Sequence, residues 1–152
     1  MFPLLGVAFF AIATIPLIII DFRERRLPNK ITIPGYFLSL IGLLLTFEWQ
    51  RVLLAIGVSA ALFGVGTLVS LRAWIGMGDV KLFTGLSLLL AWFDPKLVWQ
   101  ATLWAFGIAT GVVLVGFLIK KMTARSTIAL GPYLLVGFWV VITQPAWSSI
   151  AR

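Results

Sequence analysis

Apolar residues run in long blocks along this chain, and polar residues gather in the short gaps between them. Six blocks stand out, from about Phe2 to Ile20, Ile31 to Phe47, Val52 to Leu71, Trp74 to Phe93, Leu97 to Ile119 and Ile128 to Ile142. Each approaches the ~20 mainly apolar residues that an α-helix needs to cross a bilayer. The pattern predicts an all-α, polytopic membrane protein of about six transmembrane helices, forming one membrane-embedded domain over 1–152. The gaps carry helix punctuation. Leu27-Pro28-Asn29 stops continuation before the second block, and Pro34 is expected in that block's first turn, where a missing N–H is tolerated. Asp94-Pro95 predicts a tight turn between the fourth and fifth blocks.

Charge in the gaps predicts orientation. Arg23, Arg25, Arg26 and Lys30 follow the first block, Arg72 and Lys81 flank the junction of the third and fourth, and Lys120, Lys121 and Arg125 precede the sixth. These alternate gaps hold nine of the twelve basic residues, whereas Arg51, Lys96 and Arg152 fall on the other side. Cytoplasmic loops are enriched in Lys and Arg. The nine-charge side is therefore expected in the cytoplasm, with both termini outside. Trp49, Trp92, Trp99 and Trp147 gather near the expected outer boundary, as indole rings do at headgroup level. Asp21 follows the first block directly, with neither a basic start nor a small-residue cleavage site, so that block is expected to remain as a helix rather than act as a signal peptide. Gly57, Gly64 and Gly66 in the third block, and Gly107, Gly111 and Gly116 in the fifth, are expected to give close-packing faces.

Composition agrees with the pattern. The chain is 61% hydrophobic and 11% charged, with a mean hydropathy of +1.09. A soluble domain averages about 45–50% and 25%. The net charge of +7 is accounted for by the cytoplasmic gaps. No basic face with stacking aromatics stands apart from the apolar blocks, so nucleic acid is not an expected partner. Histidine and cysteine are absent. Zinc sites, thiol nucleophiles, disulfides and Ser-His-Asp chemistry go with them. No metal or cofactor is expected, and chemistry must come from carboxylates, hydroxyls, amines or backbone.

Acids number five: Asp21, Glu24, Glu48, Asp79 and Asp94. Glu24 falls in an Arg-rich gap, and Glu48 and Asp94 fall in outer gaps, where solvation suffices to explain them. Asp21 and Asp79 adjoin or interrupt apolar runs, where an ionisable group is costly and is a functional candidate by default. Structural readings also exist: Asp79 as a helix N-cap, Asp21 as a boundary charge paired with Arg25. Between Asp21 and Asp79 the chain crosses outward and returns, so both carboxylates are expected on the cytoplasmic side. Two carboxylates that meet cannot both ionise cheaply, and the pair would share a proton. Gly76 and Gly78, just before Asp79, are expected to break the helix and admit an extended substrate.

The string GMGDVKL around Asp79 resembles the GxGD signature of intramembrane aspartyl proteases, a class that includes prepilin peptidases, archaeal preflagellin peptidases and presenilin-like enzymes. Asp21-FRERRLPNKIT is similar to the first-Asp region of prepilin peptidases. Ser126-Thr-Ile-Ala-Leu-Gly-Pro-Tyr is similar to the late Pro-x-Gly-Pro segment, with Ala129 at the first proline. The resemblance implies Asp21 and Asp79 as the catalytic pair, with Gly76, Gly78, Gly131 and Pro132 shaping the site. Lys81, Arg23 and Arg25 are candidates to contact a carboxylate or the substrate, although a positive-inside charge is the favoured reading of Lys81 and suffices for the arginines. It implies an inner-membrane endopeptidase that removes basic leaders from prepilins and pseudopilins, and membrane lipid as its surroundings. The gap after the first block is about ten residues long and has no cysteine. It resembles the short form associated with tight-adherence (Flp-type) pili, without the cysteine-bearing insertion linked to N-methylation, so methyltransferase activity is not expected. A transporter subunit using the same aspartates is the competing reading. It predicts inverted halves around a broken helix, and no such symmetry is visible.

Overall fold

The computed structural model describes residues 4–24, 27–72, 75–119 and 129–150, with side chains up to residue 144 in the last stretch. Six helices follow in order: α1 (Leu4–Glu24), α2 (Asn29–Leu44), α3 (Trp49–Leu71), α4 (Met77–Phe93), α5 (Pro95–Leu118) and α6 (Gly131–Ile150). Among the described residues, three helices, α1, α3 and α5, are long and apolar enough to cross a membrane. This is coarser than the six spans expected. Helix α2 has 16 residues and α4 has 17. At ~1.5 Å per residue they are about 24–26 Å long, short of a ~30 Å hydrocarbon core.

Helix α4 forms the centre. From Thr84 to Ala91 every residue is buried, and Leu82 is buried too. A helix that is apolar all round belongs inside a bundle. Its neighbours approach through small and hydroxyl residues, which let backbones come close where apolar burial alone gives no drive between helices. Gly66 of α3 lies against Val80 of α4. Ser59 Oγ, also on α3, donates to the Thr84 carbonyl at 3.0 Å. Gly85 and Gly35 face Phe10 of α1, and Gly6 faces Ser39 and Leu89, tying α1, α2 and α4 together. Gly137 of α6 abuts the α5 backbone at Ala101 and Ala105. Trp139 Nε1 donates to Thr14 Oγ1 at 2.9 Å, joining α6 to α1.

Several expectations change. A Cβ at Gly57, Gly64, Gly107 or Gly111 would meet nothing within 4 Å, so these glycines do not form packed faces within the chain; Gly66 does. Pro34 lies in the second turn of α2, because the helix begins at Asn29 rather than Ile31. Asp94 alone joins α4 to α5, as an N-cap whose side chain accepts from Lys96 N at 2.8 Å, with Pro95 next. Trp49 and Trp99 are exposed, but Trp92 is partly buried beneath the Arg51 guanidinium, 5.8 Å from its ring centre. Phe2, Arg25, Arg26, Trp74, Lys120, Lys121, Arg125, Ser126, Trp147 and Arg152 lie outside the described residues or side chains.

Candidate functional site

Asp21 sits in the last turn of α1, facing inward, with only 3% of its surface exposed. Glu24 and Arg23, in the same turn, are exposed. The buried carboxylate accepts a hydrogen bond from the Gly131 N–H, Oδ2 lying 3.1 Å away. Gly131 opens α6, so Asp21 occupies the N-terminal mouth of that helix. The first N–H groups of a helix have no intrahelical acceptor, and its dipole favours negative charge there.

Asp79 is the third residue of α4, half-buried. Gly76 is the N-cap, in extended conformation at φ −67° and ψ 139°, and the Asp79 N–H bonds back to the Gly76 carbonyl at 3.0 Å. The two glycines therefore do not interrupt a helix, as the sequence suggested. Gly76 precedes α4 and Gly78 lies inside its first turn, so Asp79 is in the mouth of a helix rather than about five residues along it. Neither glycine needs a positive φ. Their missing side chains matter because space is short. A Cβ on Gly76 would lie 3.1 Å from Asp79 Oδ2, and one on Gly78 would lie 3.0 Å from Leu27 Cβ.

The N-terminal ends of α4 and α6 thus converge on two carboxylates. Asp21 accepts from the Gly131 N–H at the start of α6, and Asp79 stands in the first turn of α4. Both acids line one cavity of about 420 Å³, together with Leu27, Asn29, Gly76, Met77, Gly78 and Lys81. Lys81 Nζ donates to Asn29 Oδ1 at 3.0 Å, so its hydrogen bond goes to an amide and not to a carboxylate. Leu27 is buried between Gly78 and Gly131 and holds the two helix starts at a fixed spacing. Pro132, the second residue of α6, is buried beside them. Among the described residues, no cluster of acids could hold a metal ion.

A family model for the type IV leader peptidase family, Peptidase_A24, matches residues 8–119. The chain belongs to the type IV leader peptidase family. That match takes in both aspartates and ends before Gly131. The prepilin leader peptidase/N-methyltransferase of Escherichia coli (strain K12) is 30% identical over 141 residues, covering 86% of this chain and 59% of that protein. The chain therefore spans little more than half the length of this relative. No solved structure matches.

For a chain of this family, the structure gathers Asp21, Asp79, Gly76, Gly78, Gly131 and Lys81 around one cavity. Arg23 lies on the exposed side of α1's last turn, away from the cavity lining, and Arg25 is outside the described residues. Sequence reasoning missed Leu27 and Asn29, which it treated as helix punctuation. Their available signal was position. Leu27 lies on the short link that must carry the chain from Asp21 into α2, and Asn29 opens that helix, beside the site. Of the remaining acids, Glu48 pairs with Arg51 at 3.1 Å, both exposed, Asp94 caps α5, and Glu24 is exposed.

Proposed function

We propose that this chain is an aspartyl endopeptidase of the cytoplasmic membrane that removes the basic leader from type IV prepilins and pseudopilins of the Flp class, with Asp21 and Asp79 as its catalytic pair. The observation that carries this reading is the convergence of two helix N-termini on two carboxylates that share one cavity. Family membership supports the substrate class.

The chemistry needs one proton on the pair. The ionised carboxylate takes a proton from a water molecule, whose oxygen attacks the scissile carbonyl carbon. The protonated carboxyl hydrogen-bonds the carbonyl oxygen and delivers its proton as the tetrahedral diol forms. The diol then collapses: the C–N bond breaks, the amine takes a proton from the carboxyl that received one from water, the other carboxylate takes a proton back from a diol hydroxyl, and an acid and an amine leave. The pair regains its single proton at the end of the cycle.

In this reading all six helices cross the bilayer, with the nine basic residues on the cytoplasmic side. The shorter α2 and α4 are carried by the longer α1, α3 and α5. Their shortfall sets the start of α4 below the membrane surface, so irregular backbone there faces protein and a cavity rather than lipid. A leader's basic residues stay in the cytoplasm while its apolar stem enters the bilayer, which brings the bond between them to Asp79.

The test is co-expression of a leader-bearing prepilin with wild type, Asp21→Asn or Asp79→Asn, followed by gel detection of leader removal. Wild type is expected to process the prepilin, and each variant to lose at least about a thousandfold in rate, since the two groups act as a unit. Normal processing by either variant would end the dyad assignment.

A further inference from the structure

The polar cavity holds a cation that the cleavage step leaves unused. Lys81 is the one cation among the described residues that line it, and it pairs with neither carboxylate. The reason is helical geometry. Lys81 follows Asp79 by two residues, about 200° around α4, so the two side chains leave the helix on different faces. Lys81 Nζ instead donates to Asn29 Oδ1, at the start of α2, at 3.0 Å. An ammonium carries three donors, and this bond is the one interaction its nitrogen makes among the described residues.

The same bond orients Asn29. A lysine can only donate, so the amide oxygen faces it and the amide NH2 faces elsewhere. Among the described residues, no hydrogen bond occupies that NH2. On its other side Lys81 borders an apolar groove lined by Ile33, Phe37 and Phe63. The threonine hydroxyls in that groove, on Thr32 and Thr84, are each bonded to a carbonyl one turn earlier. Asn29 lines the polar cavity and not the groove, so the two side chains meet on the cavity side.

Spare donors of this kind favour an acceptor that carries a full negative charge. The intact peptide bond brings none, and a basic leader brings cations, which Lys81 repels. Cleavage reverses the balance. It leaves a carboxylic acid on the leader and an amine on the stem, and at neutral pH the acid's proton passes to the amine. The new carboxylate then lies beside an aspartate pair that itself bears a negative charge, and like charges so close are costly. Lys81 and Asn29 offer it a charge-assisted hydrogen bond and a second donor within the same cavity. Resting on the leader-peptidase reading above, we propose that Lys81 and Asn29 form a product subsite, which takes the new C-terminal carboxylate of the leader as it leaves the aspartates.

The test uses two synthetic peptides with the leader sequence of the prepilin in the assay. Both end at the residue where wild type cuts, one as the free acid and the other as its amide. Each competes against prepilin cleavage by the purified full chain in phospholipid nanodiscs at neutral pH. The acid is expected to inhibit wild type at least about tenfold more tightly than the amide, the scale of one charge-assisted hydrogen bond. Lys81→Met should bring the two peptides within about twofold of each other, and Lys81→Arg should keep most of the preference. Asn29→Asp gives Lys81 an internal carboxylate and should abolish the preference as Lys81→Met does; an acid is favourable in the first turn of α2, so this variant keeps its fold. If wild type cleaves but acid and amide inhibit it equally, or if both Lys81→Met and Asn29→Asp still prefer the acid, the subsite is overturned while the peptidase reading stands. If wild type cleaves no leader-bearing substrate, the peptidase reading falls and takes the subsite with it.

Discussion

Gly131→Ala is the sharpest perturbation the structure offers. Gly131 has no positive φ, so alanine can adopt its backbone without strain. What it cannot do is fit. The new Cβ would lie 2.6 Å from Asp21 Oδ2, 3.3 Å from its Cγ and 3.2 Å from Leu27 Cδ1. Leu27 is wedged against Gly78 on its other side, so the Asp21 carboxylate must give way, into the cavity it lines and away from Gly131. Restoring ordinary van der Waals contact requires the carboxylate oxygen to retreat by about 0.8 Å. The retreat carries it away from the N–H that now holds it at 3.1 Å. A hydrogen bond to a charged group contributes ~1.5–3 kcal/mol, and a misplacement near 1 Å at a reacting centre costs about a hundredfold in rate. Gly131→Ala should therefore lower kcat for leader cleavage by about 10–200-fold with little change in KM, because the substrate's own contacts are untouched. Gly76→Ala provides the internal scale. Its Cβ would approach Asp79 Oδ2 to 3.1 Å, a few tenths too close, so its loss should be several-fold smaller. The measurement is steady-state cleavage of one prepilin by the purified variants, with thermal unfolding followed in parallel. If folded Gly131→Ala retains activity within about threefold of wild type, or Gly76→Ala is the more damaged of the two, helix-terminus positioning of Asp21 is refuted.

Three further outcomes are expected. Gly137→Ala drives a methyl into the α5 backbone at Ala101 and Ala105 and should lower stability by about 1–3 kcal/mol, whereas Gly107→Ala, with open space around it, should be neutral or slightly stabilising; unfolding midpoints in one detergent compare them directly. The rate of cleavage should be bell-shaped in pH. At low pH both carboxyls are protonated and no base remains, and at high pH both are ionised and no donor remains; Asp21→Asn should leave no residual bell. Lys81→Met and Asn29→Ala should each reduce kcat/KM by less than about tenfold, and the double variant should be no worse than the poorer single one, because each removes the same 3.0 Å hydrogen bond.

What the chain revealed before folding, and what it withheld, follows from the range over which each signal acts. Asp21 and Asp79 were visible because an acid beside an apolar run is costly wherever the run ends up in the bundle. Helix number was visible for the same reason: apolar blocks and their basic gaps are local features. The number of long spans was not, because α2 stops at Leu44, short of Phe47, and α4 starts only after its N-cap Gly76. Glycine was the least legible residue. Gly107 and Gly111 show the small-xxx-small spacing yet face open space, while Gly131, with no such spacing, meets a carboxylate from a residue 110 positions earlier. Its importance exists only once α6 has been laid against α1, and that docking is set by Gly137 on α5 and by Trp139 on Thr14. The placement of Asp21 therefore depends on contacts well along α6, about two turns from the site. A change at Gly137 should for that reason lower activity only as far as it lowers stability, whereas Gly131→Ala should lose far more activity than its own loss of stability accounts for. That separation is what distinguishes a residue that aims the carboxylate from one that merely brings its helix there.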